Sequence, residues 1–125
     1  MKRRARLTRN GNRMSEAKFR AWVRSLLRSG SMRWGAKNDA LESAAAGRGI
    51  NPHTGRMAKL YRCERCGGKS SRAGVQVDHK QPVVPLSGWV SWDDFINRLF
   101  CEVDGYQVLC KRCHDLKTKS ENKQR

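Results

Sequence analysis

Two short cysteine motifs restrict this chain more than anything else in it: CERC at Cys63 and Cys66, and CKRC at Cys110 and Cys113, with forty-three residues between them. Two residues between thiolates let both sulfurs reach one tetrahedral ion at about 2.3 Å, and two such pairs complete a shell of four. An ion held that way keeps no open position for a substrate, so the spacing predicts a structural zinc. A chain of 125 residues with 38% apolar and 30% charged residues builds only a small core. Small cores are commonly reinforced by metals or disulfides. Redox use of the two pairs would ask for a thioredoxin-like βαβ context, which the pattern lacks. The fifth cysteine, Cys101 in RLFCEV, reads as a buried or half-buried free thiol.

No apolar run approaches the length of a membrane span, and no hydrophobic segment follows the basic start MKRRARLTRNGNR. A secretory signal would need one. The expectation is a cytoplasmic protein, in a reducing compartment where cysteines ligate metal rather than pair with each other. The formal net charge is +16, and residues 1–33 carry eleven Lys and Arg against the single acid Glu16. So large an imbalance exceeds what solubility asks for and points to a polyanionic partner.

The chain divides, on this reading, into four stretches. Residues 1–13 lack apolar periodicity and form a flexible basic arm. Residues 14–46 are a basic helical region. Phe19, Trp22, Val23, Leu26 and Leu27 fall on one helical stripe, Ser15 caps its start and Gly30 ends it. Arg20, Arg24 and Arg28 recur every four residues on another face, where a row of like charge suits phosphates better than water. A second helix runs from Ala36 to Ala46. Residues 47–59, which open with GRGINPHTGR, are a linker in which His53 is a bystander. Residues 60–125 hold the chemistry: a cysteine turn, the strand GVQVDH, a helix SWDDFINRLF capped by Ser91, the strand GYQVLC, the second cysteine turn and a final helix.

Because four thiolates complete the zinc shell, His114, fused to the last cysteine in CKRCH, is available for another task. The order strand, Asp78-His79, helix, strand, His114, helix suggests a ββα arrangement in which these three residues converge. Carboxylate and imidazole suit Mg2+, Mn2+ or a similar ion with open positions, and a remaining imidazole serves as a general base near neutral pH.

VDHKQPVVPL followed by YQVLCKRCHDLKT resembles the HNH endonucleases, in the subgroup whose ββα-metal (His-Me finger) motif is braced by a four-cysteine zinc. SGWVSWDDFINRLFC and RWGAKNDAL are similar to small HNH proteins of tailed bacteriophages. The resemblance implies an α+β fold in which a zinc-stabilised ββα-metal module follows an N-terminal helical region. It implies His79 as the general base, with Asp78 and His114 as ligands of a catalytic divalent ion. Thr118 stands where some members place an auxiliary ligand. The family's middle Asn falls at Gly105, after Asp104, while Asn97 lies in the intervening helix. That departure bears on efficiency, through the loop carrying the base, more than on reaction type.

The expected activity is metal-dependent hydrolysis of DNA phosphodiesters, nicking with weak sequence preference. Arg20, Arg24, Arg28, Lys111, Arg112 and Lys117 would contact the backbone. RNA remains a second substrate, a phage packaging protein such as a terminase a partner, and monomer or weak dimer the state. The competing reading is a zinc-braced nucleic-acid- or protein-binding module with degenerate chemistry.

Overall fold

The computed structural model describes residues 3–125, an α+β chain that divides into two compact units, one up to Met32 and the other Arg33–Arg125. The first two residues of the expected arm lie outside the described residues. No helix among those described is long and apolar enough to cross a membrane.

In the N-terminal unit, β1 (Leu7–Arg9) pairs antiparallel with β2 (Met14–Ser15), and α1 (Glu16–Ser31) follows directly. This hairpin gives residues 7–15 regular pairing within and just beyond the stretch 1–13 that was expected to be a flexible basic arm. Asn10, Gly11 and Asn12 all take positive φ, a left-handed run that these residue types tolerate, and it reverses the chain. Ser15 caps α1 as expected, its Oγ accepting from the Lys18 N–H at 3.2 Å. Thr8 and Arg9 both donate to Glu16 at the helix start, and the Arg9 contact holds that carboxyl below its usual range. Gly30 does not end the helix, which runs one residue further. On the expected apolar stripe, Trp22 and Leu26 remain more than half exposed.

The second unit begins with α2 (Gly35–Ser43), then the antiparallel sheet β3 (Ala45–Ile50), β4 (Met57–Arg62) and β5 (Lys69–Ser70). Residues 47–59, read from sequence as a linker, are therefore most of a hairpin. Its tip is fixed by Asn51, which accepts from the His53 N–H through Oδ1 and bonds Arg56 through its backbone, with Gly55 at φ 72°. Turn formers mark a hairpin tip as readily as a linker; only strand pairing separates the two.

The remaining elements are β6 (Val75–His79), α3 (Trp92–Leu99), β7 (Tyr106–Cys110) and α4 (Lys111–Gln124). Ser91 caps α3 through the Asp94 N–H, as its sequence position indicated. β6 and β7 pair antiparallel with Val75 opposite Cys110 and His79 opposite Tyr106. Successive strand residues point to opposite faces, so this hairpin has two separate environments. Val75, Val77 and Val108 pack with Leu41, Ala44 and Tyr61 on one face. Leu109 turns the other way, against Cys63 and Cys113.

Candidate functional site

The first cysteine turn is tied to β7 through one residue: the Glu64 N–H donates to the Val108 carbonyl, and the Glu64 carboxylate accepts from the Val108 N–H. That pairing brings CERC beside CKRC at the strand end. Around the first turn, the Cys63 N–H donates to the Gly68 carbonyl, the Gly67 N–H donates to the Cys63 carbonyl, and Gly67 takes φ 74°. The four sulfurs of Cys63, Cys66, Cys110 and Cys113 lie within 4.8 Å of one another. A tetrahedron with arms of about 2.3 Å has edges of about 3.8 Å, and Cys66 Sγ stands 3.8 Å from Cys110 Sγ. The donor set and its spacing fit a metal such as zinc. Backbone N–H groups of Gly68 and Cys113 point at the Cys66 and Cys110 sulfurs, the dipoles a thiolate cluster needs.

The protons are shared unequally. Burial works against a Cys63 thiolate, but the N–H groups of Cys66, Cys110 and Arg65 outweigh it and bring that thiol down. Burial and the three neighbouring sulfurs push Cys113 up. A cluster that resists carrying four negative charges unaided gains most from a dication, whose binding releases the remaining protons.

Immediately beyond Cys113, α4 turns His114 toward the polar part of the hairpin face that carries Leu109. His114 Nε2 stands 3.7 Å from Asp78 Oδ1. The other carboxylate oxygen accepts from Gln107 Nε2 at 3.1 Å, its cross-strand neighbour, and from Lys117 Nζ at 3.0 Å. Lys117 also donates to the His79 carbonyl at 3.1 Å and pairs with Glu121. Burial disfavours the Lys117 ammonium, but Glu121 and Asp78 outweigh that and hold its pKa above the ordinary value. Oxygen and nitrogen ligands about 2.1 Å from one ion are about 3.0 Å apart at a right angle and further apart at wider angles. The 3.7 Å between His114 and Asp78 lies between the about 3.0 Å of adjacent and the about 4.2 Å of opposite octahedral ligands, so the two side chains are near neighbours but are not preset for such an ion.

His79 faces the other way. Its ring lies against Tyr106, centroids 4.9 Å apart, and its Nε2 is 2.9 Å from the carbonyl of Leu99, the last residue of α3. Tyr106 donates its hydroxyl to the same carbonyl. A neutral ring that donates from Nε2 carries its lone pair on Nδ1. His79 lines a cavity of about 430 Å3 together with Gln81, Asn97, Arg98, Cys101 and Gly105. Arg98 braces this wall, pairing with Asp94 and donating to the Pro82 carbonyl just beyond His79. Burial raises the Cys101 pKa, keeping the half-buried thiol expected from sequence protonated.

The structure thus joins Asp78 and His114, and turns the side chains of Asp78 and His79 out from opposite faces of one hairpin. Among the described residues, the four cysteines are the one group of three or more Cys, His, Asp or Glu side chains close enough to share an ion. Thr118 is exposed; Lys117, one position earlier, is the α4 residue that reaches Asp78. Lys117 also parts company with Lys111 and Arg112, with which it was grouped for backbone contact. At about 100° per residue, it points to the opposite side of α4. At Gly105, where the sequence resemblance would put a middle Asn, the backbone carbonyl accepts from the Lys80 N–H at 2.9 Å, so backbone holds the loop after His79. A Cβ at residue 105 would stand 2.7 Å from Cys101 Sγ, which excludes any larger residue there without rearrangement. Sequence reasoning passed over Asn97 and Arg98 as cavity wall and Gln107 as the partner of Asp78. Only the i,i+4 pair Asp94/Arg98 had a sequence signature.

No protein-family model, curated protein or solved structure matches this chain.

Proposed function

We propose that the second unit is a divalent-metal-dependent nuclease acting on DNA phosphodiesters, with Asp78 and His114 holding the reactive ion and His79 as general base. The observation that carries the reading is the 3.7 Å approach of His114 to Asp78 from two different elements. A hard cation with open positions would supply the charge that stabilises the phosphate as it is attacked. His79, held at the end of β6 by Leu99 and Tyr106, takes the proton from the attacking water. The ring so charged faces the carbonyl end of α3, where a helix favours a cation. Gln107 and Lys117 hold the Asp78 carboxylate in place.

In this reading the four cysteines hold a structural zinc whose work is positional. It anchors Cys113 at the first turn of α4, and His114 follows at once. The excess of Lys and Arg, 27 against 11 acids, supports backbone binding with weak sequence preference and steep salt dependence.

Two observations favour a second reading, a zinc-braced nucleic-acid-binding module without turnover. The Lys117 ammonium already neutralises Asp78, and His79 leaves the opposite face of the hairpin from Asp78. Supercoiled plasmid incubated with Mg2+ or Mn2+ separates the two. Conversion to open circle by the wild type, lost in His79→Ala and His114→Ala, supports the nuclease. A gel shift without cleavage under either ion establishes the binder instead.

A further inference from the structure

A wide concavity of the second unit lies away from the Asp78–His114 pair. It encloses about 840 Å3 between the tip of the β3–β4 hairpin, the turn after β5 and the outer side of α4. That is within the range of small-molecule pockets. At about 100° per residue, Lys111, Arg112, Asp115, Leu116 and Lys119 occupy one side of α4, while Cys113, His114, Lys117 and Glu121 occupy the other. The helix therefore serves two sites back to back.

The chemistry of this cleft is specific. Its lining is mainly apolar in area, with Leu116 45% exposed on α4, Ala73, and Cys66 and Cys110 from the edge of the cysteine cluster, and His53 contributed by the hairpin tip. Its rim carries Lys69, Lys111, Arg112 and Lys119, all exposed, against one carboxylate, Asp115. In its wall is Ser70, 5% exposed, whose Oγ is buried without a hydrogen-bond partner. An apolar slot with cations at its edge fits a group that is flat and apolar in the middle and anionic at its ends.

We propose that this cleft is a subsite for an unpaired nucleotide of a nucleic-acid strand, its base between His53 and Leu116 and its phosphates on Lys69 and Lys119. A duplex keeps its bases stacked inside, so no base enters the slot to bring its phosphate onto the lysines beside it, and it engages neither the slot nor the Lys69/Lys119 pair. A single strand fills both. The inference rests on the nucleic-acid part of the function proposed above and is independent of its catalytic part.

The experiment uses the full chain with zinc and no added divalent ion. Fluorescein-labelled oligo-dT, an oligo-U of equal length and a labelled duplex are titrated by anisotropy at several salt concentrations. Leu116→Glu and the pair Lys69→Gln/Lys119→Gln are compared with wild type, each first checked for bound zinc and an unchanged melting temperature. Both changes lie at exposed positions, so folding should survive; Leu116→Ala serves if Leu116→Glu does not fold. Single-strand affinity falls about tenfold or more in each variant while duplex affinity changes less than threefold. The lysine pair also lowers the single-strand salt slope by about 1.4, the value for two phosphates. Comparable losses for strand and duplex, no loss at all, or no oligonucleotide binding by the wild type would each overturn the subsite. Equal effects on oligo-dT and oligo-U assign it to either strand chemistry. A wild type that binds single strands but leaves plasmid intact fails the nuclease and keeps the subsite; one that nicks while the variants bind normally does the reverse.

Discussion

Replacing Gly105 by alanine tests how the loop carrying His79 is held. The added Cβ would meet Cys101 Sγ at 2.7 Å and Cys101 Cβ at 2.9 Å, closer than carbon and sulfur tolerate. Gly105 does not take a left-handed φ, so the cost comes from overlap rather than from backbone strain. Overpacking of this kind costs about 1–3 kcal/mol. For a unit of this size that corresponds to a fall in melting temperature of roughly 5–20 °C. In a Cys101→Gly background both clashing atoms are gone, and the same change becomes neutral or stabilises by up to about 1 kcal/mol through the unfolded state. The cycle therefore predicts a coupling of at least about 1 kcal/mol, measured by thermal and guanidinium melts at fixed zinc. Under the proposed function, Gly105→Asn, which introduces the residue the resemblance expects there, does not raise nicking. It displaces the Gly105 carbonyl that holds the Lys80 N–H. Equal losses for Gly105→Ala in both backgrounds, or none in either, would refute the packing argument.

Other outcomes rest on the same contacts. Cys110→Ser, or a strong chelator, releases the metal and abolishes cooperative melting of the second unit, because the cysteine cluster joins β4, β5 and α4; a melt unchanged after zinc loss would separate the metal from folding. His114→Ala keeps the wild-type zinc content and melting temperature within a few degrees but loses nicking by at least a hundredfold, whereas zinc loss would place His114 in the structural site. Lys117→Met lowers the Mg2+ concentration for half-maximal nicking several-fold, since the ammonium competes for Asp78. Its stability difference from wild type has a defined pH window. The Lys117 pKa is raised on folding, so its contribution is fully present below the unfolded lysine value, about 10.4, and fades only as pH rises through the higher folded value. A difference that disappears between pH 6 and 8 would refute this assignment to the Lys117 ammonium.

Much of the site was legible because short-range rules govern it. The two-residue cysteine spacing, the caps Ser15 and Ser91, and the alternation Val75, Val77 each reflect one local geometric constraint, and the corresponding elements stand where the pattern placed them. The hairpins at Leu7–Ser15 and Ala45–Arg62 were missed for a common reason. Asn-Gly and Asn-Pro turns are compatible with flexible chain, and pairing across them depends on strands too irregular to declare themselves: the β3–β4 register shifts between Ala45 and Arg48.

By itself the sequence determined that four sulfurs would be available at tetrahedral spacing, that Asp78 and His79 would end one strand, and that His114 would open the last helix. These are properties of neighbours along the chain. Tertiary structure alone decided which of them meet. The β6–β7 register set Gln107 against Asp78 and Tyr106 against His79, the pleat turned Asp78 and His79 to opposite faces, and the angular phase of α4 delivered His114 and Lys117 to one of those faces while opening a basic cleft behind it. Pairing register and helix phase join residues about thirty or more positions apart, a separation over which no local preference acts.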